Sequence, residues 1–152
     1  MTTLPIPSDD SALQLLGGMP SIEAVRELES LIMTLPQADI QTTNVIHGGM
    51  CARTILIPAG VVLTGALTNC DNVCIASGDI TVTTDEGAQR LTGYHVIPAK
   101  SGAKRAGIAH SDTYWTTIWP TQLLDIESIE DEFTDESNLL MTRRDKESLC
   151  LE

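Results

Sequence analysis

The sequence predicts a mainly β fold: a small antiparallel barrel with one N-terminal helix and extensions at both ends. Three observations lead there. Between residues 43 and 119, short apolar or alternating runs recur with glycine or proline between them, about eight in all. No helical period interrupts these runs, which favours an antiparallel sandwich or barrel over a parallel α/β sheet. Only 21–35 carries a sustained apolar repeat at three- and four-residue steps, through Ile22, Val25, Leu28, Ile32 and Leu35.

Taken in order, residues 1–19 carry proline, serine and glycine without a period and read as an extended arm. The helix falls within 20–36, with Ser21 as N-cap, Glu23 and Glu27 near the positive end of its dipole, and Pro36 as its stop. It is expected to pack on the barrel or on a neighbouring subunit. The barrel occupies 43–120. Its first strand is 52–57, closed by Pro58-Ala59-Gly60, and 61–67 and 72–76 follow. Ser77-Gly78-Asp79 reads as a turn into 80–83, where Ile80 and Val82 alternate with Thr81 and Thr83. Asp85-Glu86-Gly87 reads as a hairpin turn, and 89–91, 94–97, 108–110 and 114–119 complete the set. The glycine-bearing basic loop 100–107 reads as a tight turn rather than an anion site. From 121 to 152 the chain is an acidic extension. Within it Ile126, Ile129 and Phe133 allow a short amphipathic helix, with a solvated acidic tail as the alternative.

Composition narrows the function. The 152 residues hold 21 acidic and 9 basic side chains, a net charge of −12, which repels nucleic acid and anionic lipid. No run approaches the ~20 apolar residues of a membrane helix, and the first residues lack the pattern of a signal peptide, so a cytosolic site of synthesis is expected. Cys70 and Cys74 form one Cys-x3-Cys with no second pair beside Cys51 and Cys150. That is weak as a zinc site, and reduced, mostly buried thiols are expected. Arg53, before an apolar strand, is expected to point into the barrel or to pair with Asp79, as a structural ion pair rather than a substrate anchor.

Several stretches resemble a known family. Ile57-Pro58-Ala59-Gly60 followed by Leu63-Thr64-Gly65, then 77–82, 90–99 and 102–110, resemble the two half-motifs of a small cupin. More narrowly they are similar to the cupin-like proteins encoded by tailed bacteriophages and prophages. Ala109-His110-Ser111-Asp112-Thr113-Tyr114-Trp115-Thr116-Thr117-Ile118 is the most specific stretch, and the resemblance spans about 35–130. It implies a jelly-roll-like, cupin-type barrel. It also implies a metal site in which the first motif supplies two histidines and a glutamate and the second supplies one histidine.

Carried over residue by residue, that ligand set is depleted. The first-motif histidines should fall within 67–72, where this chain has Thr68, Asn69, Cys70, Asp71 and Asn72; only His110 matches. One imidazole does not hold a transition metal. The remaining candidates are Cys70 with His110, or His110 with His95, while His47, Asp71 and Cys74 are further donors. The expectation is therefore no catalytic residue, no cofactor and no metal site. The chain reads as a non-enzymatic structural or assembly protein of a phage particle, a head-decoration, collar or tail-associated subunit assembled in the host cytoplasm. Its implied partners are further copies of itself and other particle proteins, with no nucleic acid and no membrane. The alternatives are a metal-dependent cupin enzyme, or a metal-free binding module lined by Thr68, Asn72, His95 and His110.

Overall fold

The computed structural model describes residues 2–3 and 22–143. Eight strands form one curled antiparallel sheet: β1 (Thr2–Thr3), β2 (Gln41–His47), β3 (Met50–Ile57), β4 (Val61–Thr64), β5 (Asn72–Thr84), β6 (Gly87–Ala99), β7 (Ala106–Ala109) and β8 (Thr113–Pro120). Helix α1 (Ile22–Ile32) precedes β2, and α2 (Ile126–Phe133) follows β8. A mainly β chain with one N-terminal helix is thus as the sequence predicts. Ser21 and the tail from 144 lie outside the described residues, as does most of the expected N-terminal arm.

The sheet forks at β5. Its first half, Val73–Ser77, pairs with β8, while Ile80–Val82 pairs with β7 on the same edge. The other edge pairs with β6 along all 13 positions. Two layers result. One runs β6-β5-β8-β3-β2, and the other runs β6-β5-β7-β4, with β1 beyond it.

Residues 77–79 correct the sequence reading. They are not a turn, because β5 runs through them without a break. Gly78, at φ +147, lets the strand bend where the β7–β8 corner crosses it. A Cβ there would stand 2.6 Å from Thr113 Oγ1 and 2.8 Å from the Asp112 carbonyl oxygen. Thr113 Oγ1 also accepts from the Asp79 N–H. Glycine is there for a close approach of backbone, not for a reversal. The Asp85-Glu86 turn is as expected: Thr84 pairs with Gly87, which sits at φ +103. Residues 61–67 shorten to β4, and 41–47, unassigned by the sequence, pair with β3 through seven positions.

Strand alternation places one set of side chains inside. Ile57, Val61, Ala76, Ile80, Val82 and Ala109 form the main core between the layers. Helix α1 covers the outer side of the smaller layer, where Val25 and Ile32 bury against Val62, Ala106 and Ile108. The barrel thus takes the packing role for α1, one of its two expected sites. Helix α2 is real: Asp125 caps it by accepting from the Ser128 N–H, and Ile129 buries with Cys51 and Trp119. Phe133 stacks on Trp119 with ring centroids 4.0 Å apart.

A buried lysine ties these pieces together. Lys104, fully buried, donates through Nζ to Glu29 Oε2 at 3.0 Å, Glu136 Oε2 at 2.8 Å and the Gly65 carbonyl at 2.8 Å. Glu136 accepts in addition from Arg26 and from the Leu67 N–H. The 100–107 loop does turn tightly, through Ala103 N–H to the Lys100 carbonyl, and then buries its cation against α1 and the C-terminal segment.

This hub sets a pH dependence. Burial works against the Glu136 carboxylate, but hydrogen bonds from Lys104 and Leu67 and the charges of Lys104 and Arg26 outweigh it. The carboxyl is held below its ordinary value of about 4.5. A depressed folded value stabilises in full above the unfolded value and is lost as pH falls through the folded one. Thermal midpoints measured from pH 7 down to about 3 should therefore drop. Glu136→Gln should be less stable at neutral pH and show a smaller drop. Part of the fall persists in the variant, because hydrogen bonds from Arg90 hold Asp79 low as well. An unchanged fall in Glu136→Gln would show that Glu136 does not contribute to it.

Candidate functional site in the barrel interior

Inside the larger layer the inward rows are polar at one end and apolar at the other. Arg53 on β3, Thr117 on β8 and Cys74 on β5 lie side by side in register, and Asn72 and Trp119 follow two residues on. Ile55, Ile57, Ile80 and Val82 make the apolar end. Together they surround a cavity of about 200 Å³, whose wall also includes Thr68 and Arg105.

The polar end is occupied by the chain itself. Glu130 of α2 reaches inward, its side chain 4% exposed, and accepts from Arg53 Nη1 at 2.7 Å. Thr142 Oγ1 donates to the same carboxylate at 2.8 Å, and Arg143 Nε at 3.3 Å. Arg53 therefore pairs with Glu130 and not with Asp79, which is held by Arg90. The two carboxylates differ in reach: Asp79 sits past the bend of β5, while α2 lies directly over the row that holds Arg53.

The segment to which the resemblance assigns metal-binding histidines has a different task here. Leu67 accepts from Thr134 Oγ1 at 2.6 Å, the Asn69 N–H donates to the Phe133 carbonyl at 2.7 Å, and Asn69 Nδ2 donates to Asp135. It docks α2 over the barrel opening. The candidate donors are dispersed. Cys70 packs beside Trp119 and Ile129, while His110 bonds Thr81 Oγ1 through Nε2 at 2.7 Å, most of the length of β5 away. His95 Nε2 lies 2.9 Å from the Thr92 carbonyl, and His47 is exposed at the end of β2. Of the four residues proposed to line a small-ligand site, Thr68 and Asn72 border the cavity; His95 and His110 do not.

The donor chemistry does not fit a metal cation. Two guanidinium groups, Arg53 and Arg105, border the cavity, and both of its carboxylates are already engaged, Glu130 by Arg53, Thr142 and Arg143 and Glu29 by Lys104 and Thr64. Burial pushes the Cys74 thiol up, offset in part by Thr117, Arg105 and Trp115, and burial together with the Glu132 and Asp71 charges raises Cys70. Both stay protonated at neutral pH, and a thiol is a poor ligand compared with a thiolate. Among the described residues no three of His, Cys, Asp and Glu converge on one point.

Sequence reasoning missed Glu130 and its role. One signal was available: Glu130 lies four residues after Ile126 and three before Phe133, so it interrupts the apolar face of its own helix. A carboxylate in that place calls for a buried cation.

No protein-family model matches the sequence, and no curated protein matches it. Solved structures do resemble the fold. Ectoine synthase from P. lautus aligns over 65% of this chain and 76% of its own, at 14% identity and a TM-score of 0.51. KdgF from Halomonas sp. aligns over 60% and 88%, at 16% identity and a TM-score of 0.48. A cupin superfamily protein from Desulfitobacterium hafniense aligns over 59% and 86%, at 13% identity and a TM-score of 0.47. The fold is a mainly β, cupin-type sheet curled into a half-barrel, where the resemblance implied a small cupin-type barrel. At these identities the likeness extends to the fold and no further.

Proposed function

We propose that this chain is a non-enzymatic structural or assembly protein that uses a cupin-type barrel as a rigid block, in the tailed-phage particle that its sequence resemblance implies. One observation carries the reading. The polar end of the barrel, where a cupin enzyme would present open donors, is filled by the Glu130–Arg53 pair, and the first-motif segment is spent on docking the helix that delivers Glu130. A buried pair of this kind resists removal, since exposing either charge alone in the interior costs several kcal/mol, of order 3–5. The phage setting rests on the resemblance alone, which spans about 35–130 and is most specific at 109–118.

A second reading, a metal-free small-ligand module, has its own observation. Trp119 Nε1 and Thr68 Oγ1 are buried without a hydrogen-bond partner among the described residues, and both side chains border the cavity that Arg105 also lines. These groups suit a small carboxylate with an apolar body.

Two mass measurements test the proposal. Particles released by cells that carry the gene should contain the chain at a fixed ratio to the other particle proteins, and its absence from them overturns the particle role. Native mass spectrometry of the purified chain should return the bare polypeptide mass or multiples of it. A stoichiometric metal would favour the enzyme, and a retained small organic acid would favour the second reading.

A further inference from the structure

We infer that the outer face of the larger sheet layer is a self-association surface on which a second copy of this chain packs face to face. Outward residues follow directly from the register. One row runs Tyr94, Ser77, Tyr114, Leu56, Gln41, and the next runs Val96, Ile75, Thr116, Thr54, Thr43. A third runs Pro98, Val73, Ile118, Ala52, Val45, and Pro120, Met50 and His47 close the end. Not one carboxylate, lysine or arginine stands in these rows, in a chain of net charge −12. Tyr94 is 68% exposed, Val96 58% and Val45 57%, and Met50, Val73 and Tyr114 are exposed too. An apolar patch of this extent on a soluble surface marks an interaction site.

Three arguments choose a second copy as the occupant. The first is cover. The outer side of the smaller layer is already packed by α1, whereas Tyr94, Val96 and Val45 stand open on the larger one. The second is area. Five strands at about 4.8 Å and eight residues at about 3.3 Å cover roughly 600 Å² in plan, and the relief of the side chains raises that toward the ~800 Å² per partner of a standard interface. The third is self-complementarity. Strand β8 is central in the layer, with β5 and β6 on one side and β3 and β2 on the other. A two-fold axis along β8 lays β5 of one copy over β3 of the next. Leu56 then meets Ser77, Val73 meets Ala52, and Ile75 meets Thr54, a larger side chain over a smaller one at each point. Tyr114, Thr116 and Ile118 meet their own counterparts. Such an isologous contact closes as a dimer. With no charge in the rows, the repulsion between two acidic copies acts only from outside the contact.

Light scattering in line with size exclusion tests this on the full chain across a concentration series. The wild type should show twice the chain mass, and so should Leu124→Lys, which changes an exposed leucine off this face. Thr116→Arg and Tyr114→Lys should return to the single chain mass with an unchanged circular dichroism spectrum, because each sets like charges against each other at the axis. Tyr114 is exposed and engaged in no core contact, so its variant keeps the fold. A wild-type monomer at every concentration overturns the inference and would leave the face to the chain's own arm or to a different protein. Persistence of the dimer in both variants overturns it equally. Neither outcome bears on the Glu130–Arg53 plug, which the native mass measurement reads separately.

Discussion

Lys104→Met is expected to lower the stability of the fold by about 3–5 kcal/mol, the range for removing one partner from a buried ion pair. The ammonium is fully buried and satisfies two carboxylates and one carbonyl at once. Methionine fills much the same volume, so packing is nearly kept and the loss reads the charge. Glu29 and Glu136 are then left facing each other, and the Gly65 carbonyl loses its donor. Urea denaturation measures the loss. Adding Glu136→Gln to Lys104→Met should recover part of it, since one of the two stranded carboxylates is then neutral. Additive losses in the double variant would mean that the two residues act independently.

Gly78→Ala is the second large effect, expected at about 2–5 kcal/mol, because overpacking and a forced backbone conformation add at one position. A methyl group there would lie within 2.8 Å of both side-chain and backbone atoms of Thr113, and β5 cannot retreat without breaking its pairing with β6. For comparison, a methyl group on Gly93, its partner across the hairpin, would have nothing within 4 Å, and Gly93→Ala should cost only the strain of its φ of +85. Thermal denaturation of the two variants side by side separates crowding from strain. Equal losses would show that the corner over Gly78 is not a fixed contact.

What the sequence made legible was local. Alternation at Ile80–Thr83, the two-residue turn at Asp85-Glu86 and the apolar stripe of α1 each follow from neighbours within a few positions, and all are found. Ser77-Gly78-Asp79 misleads because its residues favour turns, whereas the glycine answers a contact 35 residues downstream in the chain. The partner of Arg53 escapes for the same reason: it is 77 residues away and sits on a helix whose docking depends on the 67–69 segment. Depletion of the first-motif histidines was visible in the sequence. The use made of the vacated segment was not, since hydrogen bonds from Leu67 and Asn69 to the C-terminal region involve mostly backbone groups, which carry no mark in the residue types.

The fork at β5 bears on how the molecule comes apart. Because the β5–β6 hairpin belongs to both layers, neither can open as a hinged leaf while the other stays closed. Sub-global openings, in which one sheet frays and the other remains protected, need a boundary that few hydrogen bonds cross. Here the boundary is a single 13-residue strand that is common property. The larger part of the molecule is therefore one foldon, which opens as a whole.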